Sequence, residues 1–151
     1  MRKMLMFTLA GALSVVFVAA VATVRAAEFG TAGEAKAMLE RAVAAIKADK
    51  ARALAMFSKG EGGFKDRDLY PFCGGPDGNF TAHPTLTGKS LKGLKDKAGK
   101  ALGEEIYKVA QEGKISEVSY MWPRPGTDQP VQKVTFATKV GDQVCAVGYY
   151  K

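Results

Sequence analysis

The chain has 151 residues, of which 47% are hydrophobic, and it carries a formal net charge of +7 at pH 7. This length is enough for one modest hydrophobic core and excludes two. The single histidine, His83, lacks the histidine and cysteine neighbours that a metal site requires, so no metal site and no cofactor is predicted.

Residues 1–26 are predicted to be a signal peptide. Arg2 and Lys3 form a basic start, residues 4–24 carry no charge, and small residues around Ala26 suit cleavage. The alternative is an uncleaved N-terminal membrane anchor, because about 20 apolar residues can span a bilayer. Cleavage removes three of the 22 basic residues and leaves 19 against 15 acidic ones, a net charge of +4. Both alternatives place residues 27–151 outside the cytoplasm as one domain, in the periplasm or secreted if the leader is cleaved.

Two helices are predicted at the start of this domain. Thr31 and Glu34 form a capping box that begins the first helix, and the apolar residues that follow at helical spacing are Ala35, Met38, Leu39, Ala42, Val43 and Ile46. Asp49 is predicted to cap a second, shorter helix. The apolar face of that helix consists of Ala53, Leu54 and Phe57.

The middle of the chain alternates between strand and turn signals. "LYPFC" and "FTAHP" are predicted strands joined by a turn that contains Asp77 and Gly78. A loop with five lysines follows, which indicates a solvated surface and no nucleic-acid partner, since it has no interleaved aromatic residues. A helix is then expected from about Leu102 to Glu112, with Gly113 as its C-terminal cap.

Three strands complete the chain: "ISEVSYMW", "VQKVTFATKV" and "DQVCAVGYY". The predicted fold class is α+β, with two N-terminal helices, a hairpin, a crossover helix and an antiparallel three-stranded meander. Cys73 and Cys145 lie on separate strands of an exported domain, where a lone pair more often forms a disulfide than two free thiols. In the chain-entropy model such a bridge contributes roughly 4 kcal/mol.

The segments "DLYPFC…DG…AHPTLTGKSL" and "SYMWPRPG…QKVTFATKV…GYYK", taken in order, resemble a single Cache domain of the second type. The resemblance covers about residues 32–151. It implies a PAS-like fold in which a long N-terminal helix packs beside a curved antiparallel sheet, with a small-ligand pocket on one sheet face. Such domains are extracytoplasmic sensors, often of short organic acids. Because the chain ends after the last strand, the expected role is a stand-alone binder or an accessory to a membrane receptor or histidine kinase.

The strand period places Tyr120 and Trp122 on one face of their strand, and Lys133 and Thr135 on one face of the next. If these faces coincide, they form an aromatic wall with one cation and one hydroxyl, which suits a small carboxylate. The alternative is that the aromatic residues are ordinary core and the lysine is solvated. Tyr70 and Phe72 are further candidates for the same wall.

His83 is either a hydrogen-bond donor to a ligand or a structural turn residue, and as a donor it would bind a carboxylate better when protonated. No enzyme is predicted, because the chain lacks a recognisable nucleophile motif; a small hydrolase and an interaction module with a vestigial pocket are the alternatives. No carboxylate stands among the pocket candidates, since Asp128 and Asp142 fall in connections. The composition therefore favours simple carboxylates over amino acids.

Overall fold

The computed structural model describes residues 28–151, so the predicted signal peptide lies outside the described residues. In chain order the elements are α1 (Ala32–Ala48), α2 (Lys50–Lys59), β1 (Pro71–Gly74), β2 (Phe80–Ala82), α3 (Leu102–Val109), β3 (Ser116–Pro123), β4 (Pro130–Val140) and β5 (Gln143–Tyr150). The α+β class and the predicted order of elements are confirmed.

The five strands form one sheet in the order β2-β1-β5-β4-β3, and every neighbouring pair is antiparallel. β1 pairs with the last strand of the chain, so the hairpin β1–β2 and the meander β3–β4–β5 share a single sheet. The chain crosses from β2 at one edge to β3 at the other through residues 83–115, which include the lysine-rich loop and α3. This long crossover covers one face of the sheet.

Local signals in the sequence account for the helix boundaries. Thr31 Oγ1 accepts a hydrogen bond from Glu34 N–H at 3.3 Å, and the Glu34 carboxylate accepts one from Thr31 N–H at 2.8 Å, as a capping box requires. Asp49 Oδ1 accepts from Arg52 N–H at 3.0 Å and begins α2. Gly60 ends α2 with a φ of 71°, a backbone conformation that glycine adopts at little cost.

The predicted end of the third helix is wrong. α3 runs from Leu102 to Val109, and its C-terminal cap is Ala110 rather than Gly113. The chain then turns, with a backbone bridge between Gln111 and Lys114. Gln111 accepts a hydrogen bond through its carbonyl from Lys139 N–H at 3.2 Å, so tertiary pairing with β4 replaces the last helical turn.

Each face of the sheet carries its own cluster of buried side chains. On the face covered by α1 and α2, the helices contribute Met38, Leu39, Ile46 and Phe57, and the strands contribute Phe136, Val140 and Val147. The opposite face, covered by the crossover and α3, holds Phe72, Phe80, Leu91, Leu102, Ile106, Val118 and Tyr120. The strands therefore show near-continuous burial, since both of their faces are covered.

Cys73 and Cys145 are directly opposite each other on β1 and β5 and form the predicted disulfide. Their sequence separation is 72 residues, so the bond joins the hairpin to the last strand of the meander. None of the helices within residues 28–151 is long and apolar enough to cross a membrane.

Candidate functional site

A cavity lies between the sheet and the crossover, on the face opposite α1 and α2. The space within it that a water molecule can occupy is about 20 Å³, inside an envelope of about 290 Å³ that includes open solvent. The side chains that line it are Tyr70, Phe72, Phe80, His83, Leu86, Leu91, Leu94, Leu102, Ile106, Tyr120, Trp122 and Lys133. Apart from His83 and Lys133, which are its two basic side chains, the lining is aliphatic or aromatic, so the cavity is a mainly apolar pocket.

Six of the seven candidate ligand-binding residues line this cavity: Tyr70, Phe72, His83, Tyr120, Trp122 and Lys133. Tyr120 on β3 pairs directly with Lys133 on β4, which places both side chains on the same face. The seventh candidate, Thr135, is fully buried behind the wall, where its hydroxyl shares a hydrogen bond of 2.8 Å with the Tyr120 hydroxyl. A role for any of them in binding stays a prediction.

Lys133 is the main charged group at the pocket. It is 1% exposed, and Nζ donates a hydrogen bond to the Tyr70 hydroxyl at 3.2 Å. Nζ also lies 4.6 Å and 4.8 Å from the ring centroids of Tyr70 and Tyr150. Burial lowers the Lys133 pKa to about 7, an effect that the negative charge of Asp68 partly opposes. Lys133 forms no ion pair with any residue between 28 and 151.

His83 is both a turn residue and a wall of the pocket. Nδ1 accepts hydrogen bonds from the backbone N–H groups of Thr85 at 3.0 Å and Leu86 at 3.1 Å. Since Nδ1 is an acceptor, the hydrogen bonds assign the proton of the neutral ring to Nε2. Burial, together with the positive charge of Lys133, lowers the His83 pKa to about 4. At neutral pH His83 is thus an uncharged donor, whereas the sequence led us to expect that protonation would assist binding.

The lysine-rich loop supplies apolar lining that the sequence-based prediction missed. Leu86, Leu91 and Leu94 point into the cavity, while the five lysines of this segment are exposed. Asp96 holds the loop in place: Oδ1 accepts from the N–H groups of Ala98 and Lys100, and Oδ2 accepts from Met121 N–H on β3. A loop has no residue period that shows which side chains point inward, so the leucines between the lysines carried no signal of their own.

Tyr150 and Gly148 on β5 complete the floor beneath Lys133. The Tyr150 hydroxyl donates to the Pro123 carbonyl at 2.7 Å, which fixes the ring under the ammonium group. A Cβ atom at Gly148 would overlap Lys133 and Thr135, so the lysine can lie flat on the sheet only because residue 148 has no side chain. In the sequence, the segment "GYYK" was used only for the resemblance to Cache domains, and no role was predicted for Gly148 or Tyr150.

Comparison with known proteins identifies the family and the fold of this chain. A family model described as a Cache domain matches residues 36–149. The chain is 33% identical over 55 residues to the methyl-accepting chemotaxis protein McpP of Pseudomonas putida, a stretch that covers 36% of this chain and 10% of that receptor. The chain therefore spans only about a tenth of the receptor's length.

Solved structures of chemotaxis sensor domains have the same fold. A methyl-accepting chemotaxis protein from Vibrio parahaemolyticus superposes with a TM-score of 0.63 at 26% identity, over 78% of this chain and 86% of that one. A periplasmic sensor domain of a chemotaxis protein gives 0.58 at 25% identity, over 76% and 86% of the two chains. A Cache chemosensory domain whose structure explains carboxylic acid recognition gives 0.54 at 21% identity, over 76% and 84%. The chain belongs to the Cache domain family of extracytoplasmic ligand sensors.

Proposed function

We propose that the pocket binds a short organic carboxylate and that the domain senses this ligand outside the cytoplasm. The observation that carries the proposal is Lys133, a buried amine with no ion-pair partner among the described residues. A buried charge without a partner is costly, and a ligand carboxylate would provide the missing counter-charge.

The remaining polar groups favour the same ligand class. The Tyr70 hydroxyl lies 3.2 Å from Lys133 Nζ, and neutral His83 offers its Nε2 proton. Neither side chain can serve as the anion that an ammonium group would need, and no aspartate or glutamate lines the cavity. The pocket thus supplies hydrogen-bond donors for a carboxylate but no negatively charged acceptor for the ammonium group of an amino acid. This difference favours simple acids over amino acids.

Leucines and aromatic rings around these donors suit a small apolar tail. Trp122 and Tyr120, whose ring centroids are 6.3 Å apart, form one wall, and the crossover leucines form the other. The solved Cache domain that recognises carboxylic acids is only 21% identical to this chain, so the likeness shows a shared fold and nothing about the ligand. The case for this chain therefore depends on Lys133 and its surroundings.

Titration calorimetry with acetate, propionate, pyruvate and a panel of amino acids tests the proposal. We expect at least one of the three acids to bind, and Lys133→Met to weaken binding by roughly 1.5–3 kcal/mol, the range for a hydrogen bond to a charged group. Lys139→Met, which removes an exposed lysine of the same strand, is the matched control and should leave affinity unchanged. Tight binding of an amino acid without binding of the acids would contradict the assignment.

The pH dependence gives a second test. Because the Lys133 pKa is about 7 in the empty pocket, the lysine loses its proton as the pH rises above that value. Carboxylate affinity should then fall by up to about tenfold per pH unit above neutrality, and binding at neutral pH should take up protons. Calorimetry in buffers of different ionisation enthalpy measures this uptake directly.

We also propose that the bound state is passed to a membrane receptor or a histidine kinase, because Cache domains sit in such proteins. Cross-linking in cells with and without the ligand should then capture a membrane partner. If no small acid binds while a partner is captured, the alternative of an interaction module with a vestigial pocket replaces the sensor.

A further inference from the structure

A series of close contacts runs from the pocket to the segment that precedes α1. Lys133 Nζ lies 4.8 Å from the Tyr150 ring centroid, and the guanidinium carbon of Arg124 lies 5.2 Å from the same centroid. That carbon is also 4.1 Å from the centroid of the Phe29 ring. Cations are attracted to the faces of aromatic rings, most strongly where water is excluded. Tyr150 is therefore in contact with the pocket cation and with a second cation that reaches the N-terminal segment.

Asp68 joins the same segment to Arg124. Asp68 is 5% exposed, and its Oδ1 accepts a buried hydrogen bond of 2.7 Å from Gly30 N–H. A Cβ atom at Gly30 would overlap Leu69, so this close approach of the backbone depends on glycine. The other carboxylate oxygen, Oδ2, lies 4.0 Å from Arg124 Nε.

Oδ2 of Asp68 and Nε of Arg124 are buried, and neither has a hydrogen-bond partner within residues 28–151. Buried polar atoms are nearly always paired, so this donor and this acceptor are available to each other for a direct hydrogen bond. The charge of Asp68 also acts on Lys133, since it raises the lysine pKa against the effect of burial. Two cations, Lys133 and Arg124, therefore share one buried carboxylate.

We propose that Asp68 and Arg124 are positioning residues of the pocket, and that they link occupation of Lys133 by an anion to the backbone at Phe29 and Gly30. The inference rests on the proposed function, because it requires a carboxylate at Lys133. In the empty pocket the charge of Asp68 acts on Lys133 and lies beside Arg124. When a ligand anion pairs with Lys133, the lysine no longer needs the charge of Asp68, and Asp68 then pairs more closely with Arg124. The hydrogen bond at Gly30 and the contact between Arg124 and Phe29 change with it.

The first test needs no ligand. The titration of the Lys133 amine is followed by NMR of lysine labelled with ¹³C at Cε, and the Lys133 signal is assigned by its absence in Lys133→Met. In Asp68→Asn the midpoint should move to lower pH by about one unit, because the negative charge that raises the lysine pKa is removed. Asp142→Asn is the control, since Asp142 pairs with exposed Lys50. An unchanged midpoint in folded Asp68→Asn overturns the positioning role.

The second test follows the amide of Gly30 directly, because Asp68 is its hydrogen-bond acceptor. Hydrogen exchange at Gly30 is measured with and without saturating propionate, or whichever acid of the panel binds. We expect the ligand to change the exchange rate by at least about threefold in the wild type and not in Arg124→Gln. Arg41→Gln, which removes an arginine that contacts the Phe64 ring on the helix-covered side, should respond as the wild type does.

Circular dichroism establishes that each variant is folded. If Arg124→Gln does not fold, Phe29→Leu replaces it, since Phe29 is 39% exposed and its loss costs little core packing. Ligand binding without any change at Gly30 overturns the link. If none of the acids binds the wild type, the proposed function is wrong, and the lysine titration in the empty protein decides the role of Asp68 by itself.

Discussion

The two faces of the sheet differ in chemistry although they share the same strands. The face under α1 and α2 buries an apolar cluster together with the disulfide. The face under the crossover buries Lys133, His83, Tyr120 and Thr135 among its apolar side chains. Along β4, Lys133 and Thr135 alternate with Val134 and Phe136, so one strand serves both faces. Both faces bury an apolar cluster, whereas the buried lysine and histidine lie on the face under the crossover.

The difference has an energetic basis. Lowering a lysine pKa from 10.5 to about 7 corresponds to a cost on the order of 5 kcal/mol for keeping the buried amine charged. Apolar burial on both faces has to offset that cost, since it contributes roughly 25 cal/mol per Å². The same cost provides the driving force for binding, because a carboxylate that pairs with Lys133 relieves it.

The largest expected effect is on the helix-covered face. Phe57 is fully buried and packs edge-to-face on Phe64, with ring centroids 4.5 Å apart. Phe57→Ala should lower the free energy of unfolding by about 3–5 kcal/mol, because it leaves a cavity under α2. Urea unfolding measures the loss, and Phe57→Leu is the matched control with a smaller loss. Carboxylate affinity in the folded fraction should be unchanged; a large change would show that the two faces are not independent.

The second largest effect is expected on the pocket face, for Gly148→Ala. The added methyl group overlaps Lys133 and Thr135, so the lysine must leave its position on the sheet. We expect a loss of stability of roughly 1–3 kcal/mol from overpacking, together with loss of ligand binding. Gly33→Ala provides the control, since a Cβ at that helical position meets nothing within 4 Å and alanine favours the helix. Normal ligand affinity in Gly148→Ala would contradict the placement of Lys133.

Lys133→Met should have the opposite effect on stability. Methionine fills similar space without a buried charge, so the free energy of unfolding at about pH 6 should rise by roughly 1–2 kcal/mol while ligand binding is weakened. Thermal unfolding of the ligand-free variant measures the gain, with Lys139→Met as control. A clear loss of stability would mean that the ring contacts with Tyr70 and Tyr150 outweigh the cost of burial.

The smallest effect concerns His83 and acid. Its pKa is about 4 in the folded protein and near 6.5 when unfolded, so between these values the unfolded state binds more protons. Stability should therefore fall as the pH drops from about 6.5 towards 4, by less than about 1.4 kcal/mol per pH unit. His83→Gln should flatten this slope in urea unfolding between about pH 5 and 6.5, above the range where carboxylates such as Glu34 titrate. A slope that stays the same would mean that folding leaves the His83 pKa unchanged.

Much of the candidate site was predictable from strand alternation and from the resemblance to Cache domains. Six of the seven candidates line one cavity, and among them Tyr120 and Lys133 face the same way because they are directly paired on neighbouring strands. Leu91 and Leu94 were not predicted, because a loop has no period that reveals which side chains point inward. The two alternatives for His83 could not be separated, since only the geometry shows that one ring nitrogen serves the turn while the ring lines the pocket.

The sequence by itself determined the elements whose causes are local: the capping box at Thr31, the cap at Asp49, and the alternation of the last three strands. The end of α3, the burial of Lys133 and the meeting of Asp68, Arg124 and Gly30 were decided by tertiary structure. These features depend on residues far apart in the chain, such as Asp68 and Gly30, 38 positions apart. A lysine in a strand is solvated or buried according to what covers that face. Here the covering element is a crossover whose path is set by the packing of its leucines against the sheet.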